Sequence, residues 1–150
     1  MTGAGPKHIL AATLGDCVHV AGVFSFLRLA EGEGCRTEFM GTRVKPDVLI
    51  DRCREVGPDV VAVSYRLSPE SAQQVFSELV RCAAEGGTEG VEFVLGGTGP
   101  VCRVAQESGL FAETFDGSAG PDDILRYLRG GGAPAEGGRP PGDVVSRIAQ

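Results

Sequence analysis

The chain has 150 residues, of which 42% are hydrophobic and 23% charged, a globular balance long enough to bury one core without disulfide or metal staples. Its net charge of -6 and lack of a basic stripe speak against direct contact with nucleic acid, which needs clustered Lys and Arg. No apolar run approaches the length that spans a bilayer, and the N-terminal MTGAGPKHILAATLG is too short an apolar stretch for an export signal.

In chain order, His8 to Leu14 is a short apolar run that reads as a strand. After a polar turn, Val23, Phe24, Phe26, Leu27 and Ala30 recur at helical spacing until Gly32 and Gly34 stop the helix. Arg36 to Met40 reads as a second strand. Pro46 opens a helix carrying Val48, Leu49 and Val56, broken by Gly57-Pro58. Asp59 to Ser64 is the strongest strand, a continuous apolar run of the kind found where a parallel strand is covered on both faces. Ser68 and Pro69 are an N-cap and a first helical residue, and Ala72, Val75, Phe76, Leu79 and Val80 then follow an amphipathic period. Glu92 to Leu95 is a fourth strand, Val101 to Ser108 a short helix and Glu113 to Phe115 a fifth strand. Gly120-Pro121-Asp122-Asp123 opens a last helix through Leu128, its acids set against the helix dipole.

Five strand–helix units of this kind predict an α/β, flavodoxin-like (Rossmann-like) fold: a doubly wound five-stranded parallel sheet of order 2-1-3-4-5. The fold expected for residues 1–129 is followed by a Gly/Pro-rich linker at 130–142 (GGGAPAEGGRPPG) and the start of a further helix at 143–150. Those last residues suggest a fragment of a longer protein or one module of an assembly.

A ligand of such a sheet sits where the strand order switches, beyond the carboxyl ends of strands 1, 3 and 4. Unusual residues gather in those three loops: Gly15-Asp16-Cys17-Val18-His19-Val20-Ala21-Gly22, then Ser64-Tyr65-Arg66-Leu67, then Gly96-Gly97-Thr98-Gly99-Pro100. Imidazole is a common metal ligand, but the other histidine, His8, lies at the far end of strand 1. A bare ion would need more ligands than His19, Asp16 and Cys17 offer, whereas a metal that arrives chelated needs one axial ligand. Cobalamin is such a metal carrier. The competing reading is a loop histidine hydrogen-bonded to solvent or backbone, and residue type alone leaves both open.

The stretch from Ile9 to about Arg129 resembles the cobalamin-binding domains of methionine synthase and of the base-off/His-on mutases. Their pattern is D-x-H-x-x-G after strand 1, S-x-L after strand 3 and Gly-Gly after strand 4. His19-Val20-Ala21-Gly22, Ser64 and Gly96-Gly97 match it, with the Ala12-Thr13 lead-in. The resemblance implies His19 as the lower axial cobalt ligand and therefore the metal-binding residue, Ser64 beside the displaced base, and Gly96 and Gly97 along a channel for the nucleotide tail. Asp16, Cys17, Val18, Val20 and Gly22 around the histidine, Tyr65, Arg66 and Leu67 beside the serine, and Thr98 complete the expected cofactor-binding set, with Phe115 and Asp116 as channel wall. Two departures stand out. Cys17 occupies the place of the family's Asp, with Asp16 one residue earlier, and Arg66 stands where Leu is frequent.

The implied function is the cofactor-carrying component of a cobalamin-dependent isomerase (mutase) or methyltransferase, using adenosylcobalamin or methylcobalamin and meeting a substrate-binding barrel domain or subunit. A non-catalytic cobalamin carrier or cobalamin-responsive sensor is the alternative, and loss of corrin binding a third. A homo-oligomer is compatible with the sequence; a membrane or nucleic-acid partner is not expected. A receiver-type signalling domain shares the fold but needs an Asp ending strand 3, where Val63-Ser64 stands, and a dinucleotide domain needs G-x-G-x-x-G after strand 1. Phe24, Phe26 and Leu27 read as core, Glu31-Gly32-Glu33 and Glu85 to Glu89 as solvated turns. Arg139-Pro140-Pro141 reads as linker, and Asp59 and Asp122 as turn and cap residues. The cysteines Cys17, Cys35, Cys53, Cys82 and Cys102 include no C-x-x-C pair, so no disulfide framework or zinc ribbon is expected, and free thiols suit a reducing, cytoplasmic setting.

Overall fold

A computed structural model describes residues 7–130; the linker from 131 onward and the helix expected at 143–150 lie outside the described residues. The chain alternates β1 (His8–Thr13), α1 (Ala21–Gly32), β2 (Arg36–Phe39), α2 (Pro46–Val56), β3 (Val60–Tyr65), α3 (Pro69–Ala84), β4 (Glu92–Gly97), α4 (Gly99–Ser108), β5 (Phe111–Phe115) and α5 (Pro121–Leu128). All pairings are parallel and the strand order is β2-β1-β3-β4-β5, as the sequence predicts. No helix among the described residues is long and apolar enough to cross a membrane.

Alternation along the strands divides the interior into two cores. Leu10, Ala12, Val61, Val63, Tyr65, Phe93 and Leu95 face α2, α3 and α4. Ile9, Ala11, Val60, Ala62, Val94 and Phe115 face α1 and α5. One face of the sheet is thus covered by three helices and the other by two.

The helices start where local chemistry satisfies their free N–H groups. Ser68 and Thr98 accept the amides of Ser71 and Val101, and Pro46, Pro69, Pro100 and Pro121 occupy first-turn positions. α1 differs: its N-cap is Val20, with no side-chain cap, and its first turn holds no acid. At the outer edge, β2 is short, and its Glu38 pairs with Arg52 of α2 at 2.7 Å. The guanidinium holds the Glu38 carboxyl below its usual range.

The structure differs from the sequence expectation mainly at β5, which starts at Phe111 rather than Glu113. Phe93 pairs with Phe111 and Val94 with Glu113, so Ala112 is an extra residue in the ladder. Such a bulge inverts the side-chain phase. Phe111 therefore packs on Phe76 of the three-helix side (ring centroids 5.3 Å), while Phe115 packs on Phe26 and Tyr127 of the two-helix side. A run with an exposed Ala112 in the middle does not show strand alternation, which is why its start is obscured.

α5 is fastened to the sheet by the Tyr127 hydroxyl, which donates to Glu92 Oε1 at 2.7 Å. Burial, reinforced by that carboxylate, lifts the phenol well above its ordinary value. A phenol whose titration is raised by folding contributes stability that is complete below its unfolded pKa of about 10 and declines as pH rises past it. Tyr127→Phe should therefore cost about 1 kcal/mol at pH 7. The gap between variant and parent in urea unfolding should narrow above roughly pH 10; no gap at pH 7 would show that the bond contributes little, and a gap independent of pH would show that folding does not raise the phenol's titration.

Candidate functional site

The loop that follows β1 is held mostly by its neighbours. Gly15 donates to the Val44 carbonyl at 2.9 Å, and Val44 returns a bond to the Thr13 carbonyl at 2.8 Å. The buried Thr13 hydroxyl donates to the Cys17 carbonyl and accepts the Arg43 amide at 3.1 Å. That amide also lies 3.2 Å from the Cys17 carbonyl. Arg43 makes these bonds from a left-handed conformation with φ 59°, the one such non-glycine among the described residues. Gly15 has φ 61° and is hemmed in by Tyr65 and Val75, so the turn there suits glycine. The His19 loop is thereby closed at its base.

At its tip Val18 and His19 are exposed, and Val20 is half-buried. The Nδ1 of His19 lies 3.5 Å from the Sγ of Cys17, which is buried beneath it. Asp16 is exposed and makes no bond to His19 among the described residues. The thiol, not the neighbouring carboxylate, backs the imidazole. His19 Nε2 has no protein partner among the described residues and faces away from that contact. No three His, Cys, Asp or Glu side chains among the described residues gather where they could hold a bare metal ion.

Beside this loop a cavity of about 340 Å³ opens between α1, the carboxyl half of the sheet and α5. Its floor is Ala62, Ser64, Val94 and Gly96; Gly22, Phe26 and Leu29 line it from α1, and Phe115, Asp116 and Ile124 from the other side. Ser64 joins cavity and loop, since its buried hydroxyl lies 3.5 Å from the His19 carbonyl, the outer limit for a hydrogen bond. Arg66 lies at the exposed rim. Asp116 shapes the β5–α5 connection by accepting the Ser118 amide and hydroxyl at 2.8 and 2.7 Å.

Strand alternation sorts the remaining expected residues. Ser64 and Gly96 share the two-helix face, whereas Tyr65 and Gly97 point to the other. Tyr65 is buried there, its hydroxyl donating to Ser71 Oγ at 2.7 Å, and Leu67 packs on the same core. Thr98 spends its hydroxyl on the α4 cap. The two glycines also have different reasons. A Cβ on Gly97 would sit 2.5 Å from the Tyr65 carbonyl, so β3 itself demands glycine; a Cβ on Gly96 would meet nothing closer than 3.8 Å. Of the pair, Gly96 is the one that leaves the cavity room by lacking a side chain.

Sequence reasoning missed Leu29, Ala62, Val94 and Ile124 as cavity walls and read Phe26 as core alone. Position i−2 on the same strand identifies Ala62 from Ser64 and Val94 from Gly96, and helical spacing from Gly22 gives Phe26 and Leu29. Phe24 is not core: it is exposed at the sheet edge and packs edge-on against Phe39, with centroids 5.0 Å apart. The cysteines away from the loop are packing residues; burial raises the thiols of Cys53 and Cys82, and pushes Cys102 up to about 11 with Asp116 adding to the effect.

A doubly wound sheet with an exposed histidine at its switch point and a mostly apolar cavity beside it defines a ligand-binding domain. The chain belongs to the B12 binding domain family, whose model matches residues 7–128, and its cofactor is cobalamin. The site suits that cofactor: the cavity is walled mostly by apolar side chains, Gly96 leaves it open, and Ser64 in its floor approaches the backbone of the loop that carries His19. A cobalamin-binding protein from Desulfitobacterium hafniense superposes with a TM-score of 0.68 at 25% identity, over 83% of this chain and 58% of that one. The methanol:cobalamin methyltransferase complex MtaBC from Methanosarcina barkeri gives 0.63 at 17% identity, over 99% and 55%. The receiver domain of RcsB from Salmonella enterica shares the fold at 12% identity, with a TM-score of 0.56 over 97% of this chain and 100% of that one. This chain thus spans little more than half the length of the first two. No curated protein matches it.

The contrast between the glycines is testable. Gly97→Ala should destabilise the domain by about 1–3 kcal/mol, because a backbone carbonyl cannot move aside. Gly96→Ala should stay within about 0.5 kcal/mol of the parent. Urea unfolding of both variants checks this, and equal costs would contradict the assignment.

Proposed function

We propose that His19 ligates the cobalt of cobalamin from below and that the domain is the cofactor-carrying component of a cobalamin-dependent mutase or methyltransferase. The observation that carries this is the arrangement of His19: Nδ1 against a buried thiol, Nε2 free at the loop tip, and an apolar cavity alongside. When bound, cobalamin supplies a cobalt–carbon bond, adenosyl or methyl, whose cleavage drives radical rearrangement or methyl transfer. The chain's own part is to hold it.

In the productive tautomer His19 carries its proton on Nδ1, directed at Cys17 Sγ, and presents the Nε2 lone pair outward. Thr13 and Arg43 bond to the Cys17 carbonyl or to each other and so anchor the backbone two residues before the imidazole. Ser64 offers its hydroxyl to the base of the nucleotide tail, and Gly96 gives the tail space. Arg66, at the rim, suits the amides or the phosphate at the cofactor's edge.

The substrate would be brought by a barrel domain or subunit, an expectation supported by the methyltransferase complex in which a chain of the same fold occurs. A cytoplasmic setting is supported by the absence of disulfides among the described residues, where all five cysteines are free. A non-catalytic carrier or sensor is the second reading, favoured by Cys17. A thiol accepts a hydrogen bond more weakly than a carboxylate, which would hold the imidazole less firmly and let cofactor leave more readily.

Protein incubated with hydroxocobalamin and desalted should keep its colour, and His19→Ala should change the visible spectrum of what is retained. Saturation at a hundredfold over Kd should add about 2.7 kcal/mol to stability. Cys17→Asp should tighten binding by roughly tenfold. An identical spectrum for parent and His19→Ala would refute ligation by this residue.

A further inference from the structure

We propose that β2 is a self-complementary edge on which a second copy of this chain pairs antiparallel, centred on Thr37. The inference concerns the outer edge of the sheet and does not depend on the cofactor. The sheet has two edges, β2 and β5. β5 is interrupted by its extra residue, a bulge of the kind that spoils an edge for further pairing. β2 is regular, and Arg36 to Phe39 step in register with His8 to Ala11. Arg36 and Met40 send their amides inward, to the Lys7 and Ala11 carbonyls, each at 2.8 Å. Alternation therefore turns the main-chain groups of Thr37 and Phe39 outward, where no further strand lies among the described residues.

The side chains restrict what can pair there. On the α2 face, Arg36 is exposed and makes no ion pair among the described residues, while Arg52 engages Glu38 through Oε2. On the α1 face, the half-buried Phe39 packs edge-on with Phe24, which is itself 42% exposed. Cation, threonine and anion read in reverse as anion, threonine and cation. An antiparallel pair centred on Thr37 thus sets Arg36 of each copy against Glu38 of the other, while the two Thr37 residues exchange their N–H···O bonds. The ion pairs fall at the positions flanking that bonded pair, where facing side chains come closest. Phe39 falls opposite the half-buried Cys35 across the seam. Centring on Arg36 or on Glu38 would oppose like charges, and so would a parallel pair in register. The antiparallel arrangement is two-fold, so it closes at two copies.

The experiment is sedimentation velocity of the full chain over a range of concentrations, with Arg36→Glu, Glu38→Arg and Thr37→Pro beside the parent. The parent should form a dimer that dissociates on dilution. Arg36→Glu or Glu38→Arg alone opposes like charges at both ends of the seam and should raise the dissociation constant by about tenfold or more. An equimolar mixture of those two variants restores unlike charges at both ends and should dimerise as the parent does, which also shows that both fold. Thr37→Pro removes an outward N–H and no bond to β1, and should be monomeric. A parent that stays monomeric at every concentration overturns the second copy as the occupant of this edge. Charge variants that each dimerise like the parent, or a Thr37→Pro variant that does, place the interface elsewhere and overturn it too. A mixture that stays monomeric while each variant unfolds at the parent's urea midpoint overturns the pairing of Arg36 with Glu38.

Discussion

Everything about the site depends on an inequality in how the sheet is covered. Three helices pack one face and two the other, so α1 and α5 together must shield five strands. They meet, but toward the carboxyl ends of the strands they leave a space. Close packing elsewhere in the domain makes that space a defined feature rather than slack. Its position is set by topology, because the reversal of strand order puts the β1 and β3 loops side by side at its mouth.

The histidine loop follows a different principle. Its base is sewn to residues 41–44, a segment distant in sequence, through a buried threonine hydroxyl and an arginine in an unusual backbone conformation. Left-handed conformation in a non-glycine residue costs free energy and persists where surrounding bonds enforce it. Here those bonds end on the carbonyl of Cys17, two residues from the imidazole. A rigid base with an exposed tip lets the ring be oriented by one sulfur contact and still remain open to a ligand.

Much of this was legible in the sequence. Hydrophobic period, Pro and Gly punctuation, and the capping Ser68 place the ten described elements, apart from the start of β5, and the order of five alternating units leads to the right sheet. The loops after β1, β3 and β4 do gather at the carboxyl ends of the central strands, beside the cavity. What one-dimensional reading could not do was assign faces within them. Ser64 and Tyr65 are neighbours in a motif but point to opposite cores, and Gly96 and Gly97 are a pair with separate causes. The replacement of a carboxylate at Cys17 could be seen, but not whether Asp16 would reach the ring instead. In the structure Asp16 is exposed and Cys17 Sγ lies against the ring, in a loop whose backbone is bonded to residue 43, a contact no local pattern reveals.

The extra residue in β5 has a consequence for how this segment can vary. Phe111 and Phe115 serve different cores because Ala112 adds one step between them. The requirement at Ala112 is one of count rather than of chemistry: its small exposed side chain could be exchanged for others, but its removal would put the phase of the strand out of step. Phe115 would then leave the cavity wall for the opposite face or carry the whole edge strand out of register. Length is the property under constraint there, and variation in this strand should conserve spacing more strictly than identity.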